Sequence, residues 1–453
     1  TPLNALERRA VASLGGIFAL RLLGLFLILP VFALYADQLE GHTPFLVGLA
    51  LGAYGLTQGF LQIPFGMASD RLGRKPVIAA GLLIFAVGSV VAALATTIEG
   101  VILGRALQGA GAVSAAVVAM VADLTREQTR TKAMAIIGIS VGASFVLSLM
   151  LAPLLNSAIG VPGIFWMTAA LALLGIAVLF LLAPTPTRTQ THADVEAVPR
   201  QFWRVLRDAR LLRLDVGIFF LHCGLTAVFI AVPLVLVRNA GLPAPEHWKV
   251  YLPVMLTSVV FLFPLIAQAE KRGRARVVFA GAVLLLAASQ TVLYETHMTL
   301  TGIVVGLFLY FVAFNVLEAM LPSLISRTAP PAAKGTAIGV FSTFEFLGAF
   351  AGGMVGGFVH GRFGLAAVFQ VTAALLALWF VIVVTAPLTI ELRTRVLRVG
   401  RQRPEQAREL ARKLAAVRGV AEATVVGSEG IAYLRVDSRR LDTQALRRFQ
   451  PRV

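Results

Sequence analysis

The sequence predicts an all-α membrane protein of twelve transmembrane helices in two six-helix bundles, followed by a small α+β domain of ferredoxin-like type. Three observations predict it. Twelve apolar runs long enough to span a bilayer follow one another between charged, Pro- or Gly-bearing breaks; the two sets of six share a repeat; and the last 66 residues change to a charged, alternating pattern.

The runs come first, because a spanning helix needs about 20 mostly apolar residues. They cover approximately 11–36, 45–69, 76–96, 98–122, 133–157, 163–183, 213–237, 250–269, 276–295, 299–325, 335–359 and 364–386. The first is expected to be a span and not a cleavable signal, since it is long and carries Arg21. Composition agrees: the 453 residues are 58% hydrophobic and 14% charged, with mean hydropathy +0.83. Ordinary globular chains carry about 25% charged residues, so a soluble enzyme is excluded. The single cysteine, Cys223, rules out an intramolecular disulfide and a cysteine-only metal cluster.

Basic residues set the orientation, because Lys and Arg concentrate in cytoplasmic loops. With the N-terminus inside, 20 of the 25 Lys/Arg before Leu388 fall in cytoplasmic segments, three (Arg238, Lys249, Arg362) fall outside, and Arg21 and Arg105 are buried. Both termini are therefore expected in the cytoplasm. Residues 184–212, with Pro184, Pro186, Pro199 and many charges, divide the spans six and six. The domains are then 1–183, 184–212, 213–387 and 388–453. Within the linker Phe202, Trp203, Leu206 and Leu211 alternate with arginines, as in a helix lying on the membrane or in a solvated connector.

The repeat relates the halves. Pro64, Asp70, Arg71, Gly73 and Arg74 are matched by Pro264, Glu270, Lys271, Gly273 and Arg274, each 200 residues on. Paired bundles of this kind are the signature of secondary transporters. The tail reads as strand 395–399, helix 404–417, strand 420–426, strand 431–436 and helix 442–449, with any fourth strand short or lost. It lacks a Cys-x-x-Cys pair for a metal, and its 15 Lys/Arg against 7 Asp/Glu suit anionic lipid headgroups. Tyr433 and Phe449 are too few aromatics for base stacking, so nucleic acid is not an expected partner.

The most specific motif is Gly66-Met-Ala-Ser-Asp70-Arg71-Leu-Gly73-Arg74-Lys75-Pro76. Gly66 permits close helix approach, Gly73 a tight turn, and Pro76 suits a first helical turn. The segment resembles the signature loop of the major facilitator superfamily, and the resemblance extends over about residues 10–387. It implies that fold, and a conformational lock of Gly66, Asp70, Arg71, Gly73, Arg74 and Asp123. In that lock Asp70 faces the start of the eleventh helix and Arg74 reaches Asp123. Arg105-Ala-Leu-Gln108-Gly109-Ala-Gly111 is similar to the superfamily's Arg-x-x-Gln-Gly pattern, which implies either proton coupling or a structural hydrogen-bonding role for Arg105. Asn315-Val-Leu-Glu318-Ala-Met-Leu-Pro322, taken with the tail, resembles the YajR type of inner-membrane facilitator. The fifth helix, with Gly138 and Gly142, lacks the Gly-Pro-x-x-Gly-Gly element of many drug/proton antiporters.

Ionisable groups within spans mark function by default. They are Arg21, Arg105, Asp215, His222, Glu318 and Glu345. At 1.5 Å per residue, Glu345 and Arg21 lie about 15 Å deep, near mid-bilayer. Glu318 is expected nearer the cytoplasmic end and Asp215 at the mouth, capping or pairing with Arg213. His222 beside Cys223 reads as a proton relay or a packing residue, and these two groups alone make no zinc site. Proton-coupling candidates are Glu345, Arg105, Glu318, His222 and Arg21. Candidates for the substrate cavity are Tyr54, Gln58, Gln62, Asn156, Phe229, Phe311 and Phe314.

The expected activity is proton-coupled secondary transport of a small molecule across the bacterial inner membrane by alternating access, as antiport in the efflux direction. A non-transporting membrane sensor on the same scaffold and an uncoupled uniporter are the alternatives. No phosphate-binding loop occurs, so no ATP-driven step is expected. Neither enzymatic activity, a cofactor nor a bound metal is expected; the partners are the small-molecule substrate, protons and anionic lipid.

Overall fold

In a bilayer core every backbone N–H and C=O must find its partner within the protein, and the apolar runs do so by closing into helices. A computed structural model describes residues 2–186, 201–271, 274–330, 333–385, 392–400, 402–427, 430–437 and 441–449. The N-terminal half comprises α1 (Ala5–Phe26), α2 (Leu29–Tyr35), α3 (Pro44–Leu72), α4 (Arg74–Leu94), α5 (Ile98–Ala110), α6 (Ser114–Asp123) and α7 (Glu127–Leu181). After α8 (Phe202–Leu206) come α9 (Ala209–Arg238), α10 (Trp248–Lys271), α11 (Ala275–Thr296), α12 (Leu300–Thr328), α13 (Lys334–Phe363) and α14 (Leu365–Thr385).

Among the described residues eleven stretches are long and apolar enough to cross a membrane, where the sequence predicts twelve. The difference lies in α7, which joins the fifth and sixth predicted runs without a loop. Its helical geometry breaks at Gly160 (φ 68°, ψ 172°), a left-handed conformation that costs glycine nothing, with Pro162 two residues on. The fourth run is divided between α5 and α6 at residues 111–113. The Gly111 carbonyl at that break accepts from Arg21 Nη2 at 3.2 Å, which is how irregular backbone survives at membrane depth.

The face carrying Arg8, Arg9, Arg71, Arg74 and Lys75 is here called the basic face. At the opposite face one apolar core crosses from bundle to bundle, joining Leu27, Ile28, Val31 and Phe32 to Val228, Val232 and Val235. The basic half of the N-terminal bundle has its own core of Leu14, Ile17, Phe85 and Val117. Helices α3 and α13 lie together from Pro44 and Gly357 to Gln62 and Gly339, with Gly48 and Gly353 each directly against the other's backbone. Nearer the basic face, Gly66 faces Ala115 of its own bundle. The halves are thus packed on the opposite side and at mid-depth; Arg238 Nη2 adds an ion pair to Asp37 Oδ2 at 3.2 Å.

Asp208 caps α9, its Oδ1 accepting from the Arg210 N–H at 2.9 Å. Asp215 does not sit at an open mouth as expected: it is fully buried, and among the described residues neither carboxylate oxygen has a hydrogen-bond partner. In α8, Val205 is buried and Trp203 exposed. Arg188, Pro199 and Arg200 of the linker, Arg272 and Gly273 of the repeat, the 387/388 boundary and residues 450–453 lie outside the described residues.

The tail contains β1 (Leu392–Arg398), α15 (Pro404–Ala415), β2 (Val420–Val426), β3 (Ile431–Asp437) and α16 (Thr443–Arg447). The strand order is β1-β3-β2 with both pairs antiparallel, a split β-α-β arrangement. Leu397, Leu414, Val420, Leu434, Val436 and Leu446 form its private core.

Candidate functional site

Three helices of the C-terminal bundle bring ionisable groups to one point. His222 on α9 holds Nε2 3.5 Å from Glu345 Oε1 on α13 and 3.9 Å from Glu318 Oε2 on α12. The approach is set by glycine: Gly348 and Gly352 place α13 directly on the α9 backbone at Phe219 and Cys223, on either side of His222. Glu318 is not nearer the membrane surface than Glu345. It lies ten residues from the end of α12 and Glu345 eleven from the start of α13, both about 15 Å deep. The side chains of His222, Glu345 and Glu318 are 13%, 27% and 38% exposed, so none of the three is fully enclosed by protein. Among the described residues neither carboxylate has a Lys or Arg partner. Cys223, the expected neighbour in a relay, is buried and outside this group.

Toward the opposite face the group is closed by aromatic rings. Phe314 meets the His222 ring edge-on at 6.0 Å, and Phe311 and Phe314 pack against Phe145 of α7 at 6.3 and 6.1 Å. Phe229 joins Phe311 at 6.4 Å. These phenylalanines, expected to line a cavity, are here buried in a plug between the bundles.

The N-terminal bundle carries the complementary charge. Arg21 donates from Nη2 to Gln58 Oε1 at 2.6 Å and from Nη1 to Ser114 Oγ at 3.2 Å. Arg105 donates to Gln108 Oε1 at 2.9 Å, and Gln108 in turn to Ser89 Oγ at 2.8 Å. Both guanidinium groups are buried, and among the described residues neither has a carboxylate partner. Tyr54 lies between them, its ring centroid 5.7 Å from Arg21 Cζ and 5.2 Å from Arg105 Cζ. The same ring meets Phe346, the neighbour of Glu345, at 6.1 Å across the interface. Two cations on one side and two carboxylates with a histidine on the other make an electrostatically divided centre.

Gln62 is buried and donates to Thr343 Oγ1 at 3.2 Å, tying α3 to α13. Asn156 is elsewhere: it lines a hollow of about 660 Å³ at the opposite face with Tyr35, Gln38 and Glu40. The sequence reading missed Ser89, Ser114 and Thr343, because small hydroxyls are too common in membrane helices to signal a role.

At the basic face Arg74 binds three groups of its own bundle. Its Nε donates to Asp123 Oδ2 at 2.8 Å and its Nη1 to Ser69 Oγ at 2.8 Å and to Asp70 Oδ1. Gly73, at φ 94°, makes the turn that allows this. Asp70, expected to face the eleventh helix, has Arg74 as its ion-pair partner. Nearby, Glu7 accepts from the Arg126 guanidinium and backbone and from Thr129.

Comparison with known proteins agrees with this architecture. The chain is 44% identical to the inner membrane transport protein YajR of Escherichia coli strain K12 over 436 residues, covering 96% of this chain and 95% of that protein. It is 27% identical over 340 residues to the multidrug resistance protein MdtH of Aeromonas salmonicida, covering 74% and 82%. Among solved structures, a bacterial homologue of the human lysosomal transporter Spinster, inward-facing and occupied, superposes with TM-score 0.65 at 15% identity over 85% of this chain and 96% of that one. The human organic anion transporter MFSD10 (TETRAN) gives 0.62 at 23% over 83% and 99%. The model of the Major Facilitator Superfamily matches residues 14–269 and 214–426. The chain is a membrane transporter and belongs to the major facilitator superfamily.

Proposed function

We propose that this transporter exchanges protons for a small amphipathic molecule, exporting it across the bacterial inner membrane by alternating access. The observation that carries the reading is the divided centre: His222, Glu318 and Glu345 partly exposed on one side of the bundle interface, Arg21 and Arg105 buried on the other without carboxylate partners among the described residues. A mid-depth carboxylate accepts a proton when dry and releases it when water or a cation arrives, which couples its charge to which side is open. Packing at the opposite face corresponds to an inward-facing state, with the basic face cytoplasmic by the distribution of Lys and Arg. In this reading α7 provides two passes, one on each side of Gly160, giving twelve spans.

Asp70, Arg71, Arg74 and Asp123, with Gly66 and Gly73, form the lock that steadies the cytoplasmic end when the transporter faces outward. Tyr54, Gln58, Gln62, Asn156, Phe311 and Phe314 become cavity walls as the aromatic plug parts. The multidrug name of one relative and the mixture of aromatic and amide groups support an amphipathic cargo. The basic tail docks on anionic lipid at the cytoplasmic leaflet and regulates the bundles.

The test is flux into proteoliposomes under an imposed pH gradient, with cargo chosen by a thermal-shift screen of amphipathic compounds. Wild type is expected to move cargo only while the gradient stands, and Glu345→Gln to bind it without moving it. Gradient-independent flux in the wild type, or full gradient-driven flux in Glu345→Gln, overturns the reading.

A further inference from the structure

We infer that His222, Glu318 and Glu345 form a three-ligand binding site for a divalent transition-metal cation of the zinc class, reached from the basic face. The inference uses the centre on which the proposed function rests, but assigns it a ligand of its own.

Donor chemistry is the first argument. One imidazole nitrogen and two carboxylate oxygens are the donors that borderline cations such as zinc, cobalt(II) and iron(II) accept, whereas magnesium and calcium favour an all-oxygen shell. With zinc–ligand bonds of about 2.0–2.2 Å, neighbouring donors in a tetrahedral set stand about 3.4 Å apart. His222 Nε2 is 3.5 Å from one carboxylate oxygen and 3.9 Å from the other, and one donor atom from each of the three residues lies within 4.8 Å of the rest. Two edges of such a set are therefore close to length. The third closes with a carboxylate rotation, and a fourth position stays open for water or an anionic group.

The groups around the ligands are the second argument. His222 Nδ1 lies 3.4 Å from the Ile218 carbonyl, a second contact that holds the ring while Nε2 faces the carboxylates. Metal-ligating histidines are held in this way. Glu318 Oε2 is a buried atom without a hydrogen-bond partner among the described residues, 3.9 Å from the imidazole Nε2. A structural carboxylate at this depth would be expected to have found a donor.

Charge is the third argument. Two acidic side chains and an imidazole face one another without a Lys or Arg partner among the described residues, a set that suits a dication. The buried cations Arg21 and Arg105 are held on Gln58 and Gln108 of the other bundle. The phenylalanine plug stands between these residues and the opposite face, so in this proposal the cation enters from the basic face.

The experiment is equilibrium dialysis of the full-length, tag-free protein in detergent against zinc, with cobalt(II) absorption as the readout of coordination. Wild type is expected to hold one equivalent per chain and to give the intense visible bands of low-coordinate cobalt. His222→Ala, Glu318→Gln and Glu345→Gln should each weaken zinc binding at least about tenfold. Glu345→Asp, which keeps the charge and shortens the arm, should retain folding and shift the cobalt spectrum. His42→Ala, beside Asp37 at the opposite face, should change nothing. A wild type without stoichiometric zinc, or a folded His222→Ala that binds as wild type does, overturns the site. If zinc fails to bind while Glu345→Gln still abolishes gradient-driven flux, this inference falls and the proposed function stands.

Discussion

Arg105 lies over the ring of Tyr54, its guanidinium carbon 5.2 Å from the ring centroid, with the Arg21 guanidinium carbon 5.7 Å from the same centroid. The face of one aromatic ring thus meets two buried cations, an arrangement worth about 2 kcal/mol when desolvated. Tyr54→Phe keeps the ring and loses only the hydroxyl contact to Gln58, so it should lower stability by about 1 kcal/mol or less. Tyr54→Ala should cost about 3–5 kcal/mol. Thermal unfolding in detergent reads both, and equal losses would show that the ring is not what steadies the arginines.

Arg74 and Asp123 are buried, with side chains 1% and 0% exposed, whereas Asp70 is 25% exposed. Removing one partner from a buried pair costs about 3–5 kcal/mol, and a partly solvated partner contributes less. Asp123→Ala should therefore destabilise more than Asp70→Ala. The reverse order in denaturation midpoints would mean that the exposed acid carries the contact.

Gly353 and Gly48 touch backbone to backbone between the bundles. A leucine at Gly353 has no space there and should wedge the opposite face apart. In a Cys223→Ser background, a cysteine at Gln38 should then label faster with a membrane-impermeant maleimide. Unchanged labelling in a folded variant would show that this contact does not hold that face closed.

The tail has its own core around Leu414 and Leu434, so residues 388–453 are expected to unfold cooperatively in isolation. About 66 residues is near the lower limit for this, and Leu414→Asp should abolish it. The isolated tail should also bind vesicles containing anionic lipid and be released as salt shortens the Debye length. A cooperative fold with equal affinity for neutral vesicles would remove the lipid role.

Asp208 caps α9 and is held below the usual carboxylate range by the Arg210 guanidinium. A depressed carboxylate stabilises the folded chain above its unfolded pKa of about 4, and that contribution is lost as pH falls through its folded value. Asp208→Ala should cost about 1 kcal/mol at pH 7, with the gap to wild type closing below pH of about 4. A penalty that stays constant over this range would show that the carboxylate charge plays no part.

The apolar runs, the 200-residue repeat, the uneven spread of Lys and Arg and the β-α-β-β-α order of the tail are legible in the sequence by itself. Each is encoded locally, in the length of an apolar run, the period of its side chains or the spacing of charges. It placed Gly160 in a loop because a run interrupted by Gly and Pro reads as a break, whereas one left-handed glycine suffices to redirect the helix. It could rank Glu345 by depth, but not Glu318 with it, since depth along one helix says nothing about which neighbour a side chain faces. Asp215 was assigned to a mouth for the same reason, although it lies fully buried. The meeting of His222 with Glu318 and Glu345 was decided only by tertiary structure. Those residues are far apart in the chain, and the rotation and closeness of α9 and α13 depend on Gly348 and Gly352 lying against the backbone at Phe219 and Cys223, a relation between surfaces that no one-dimensional pattern contains.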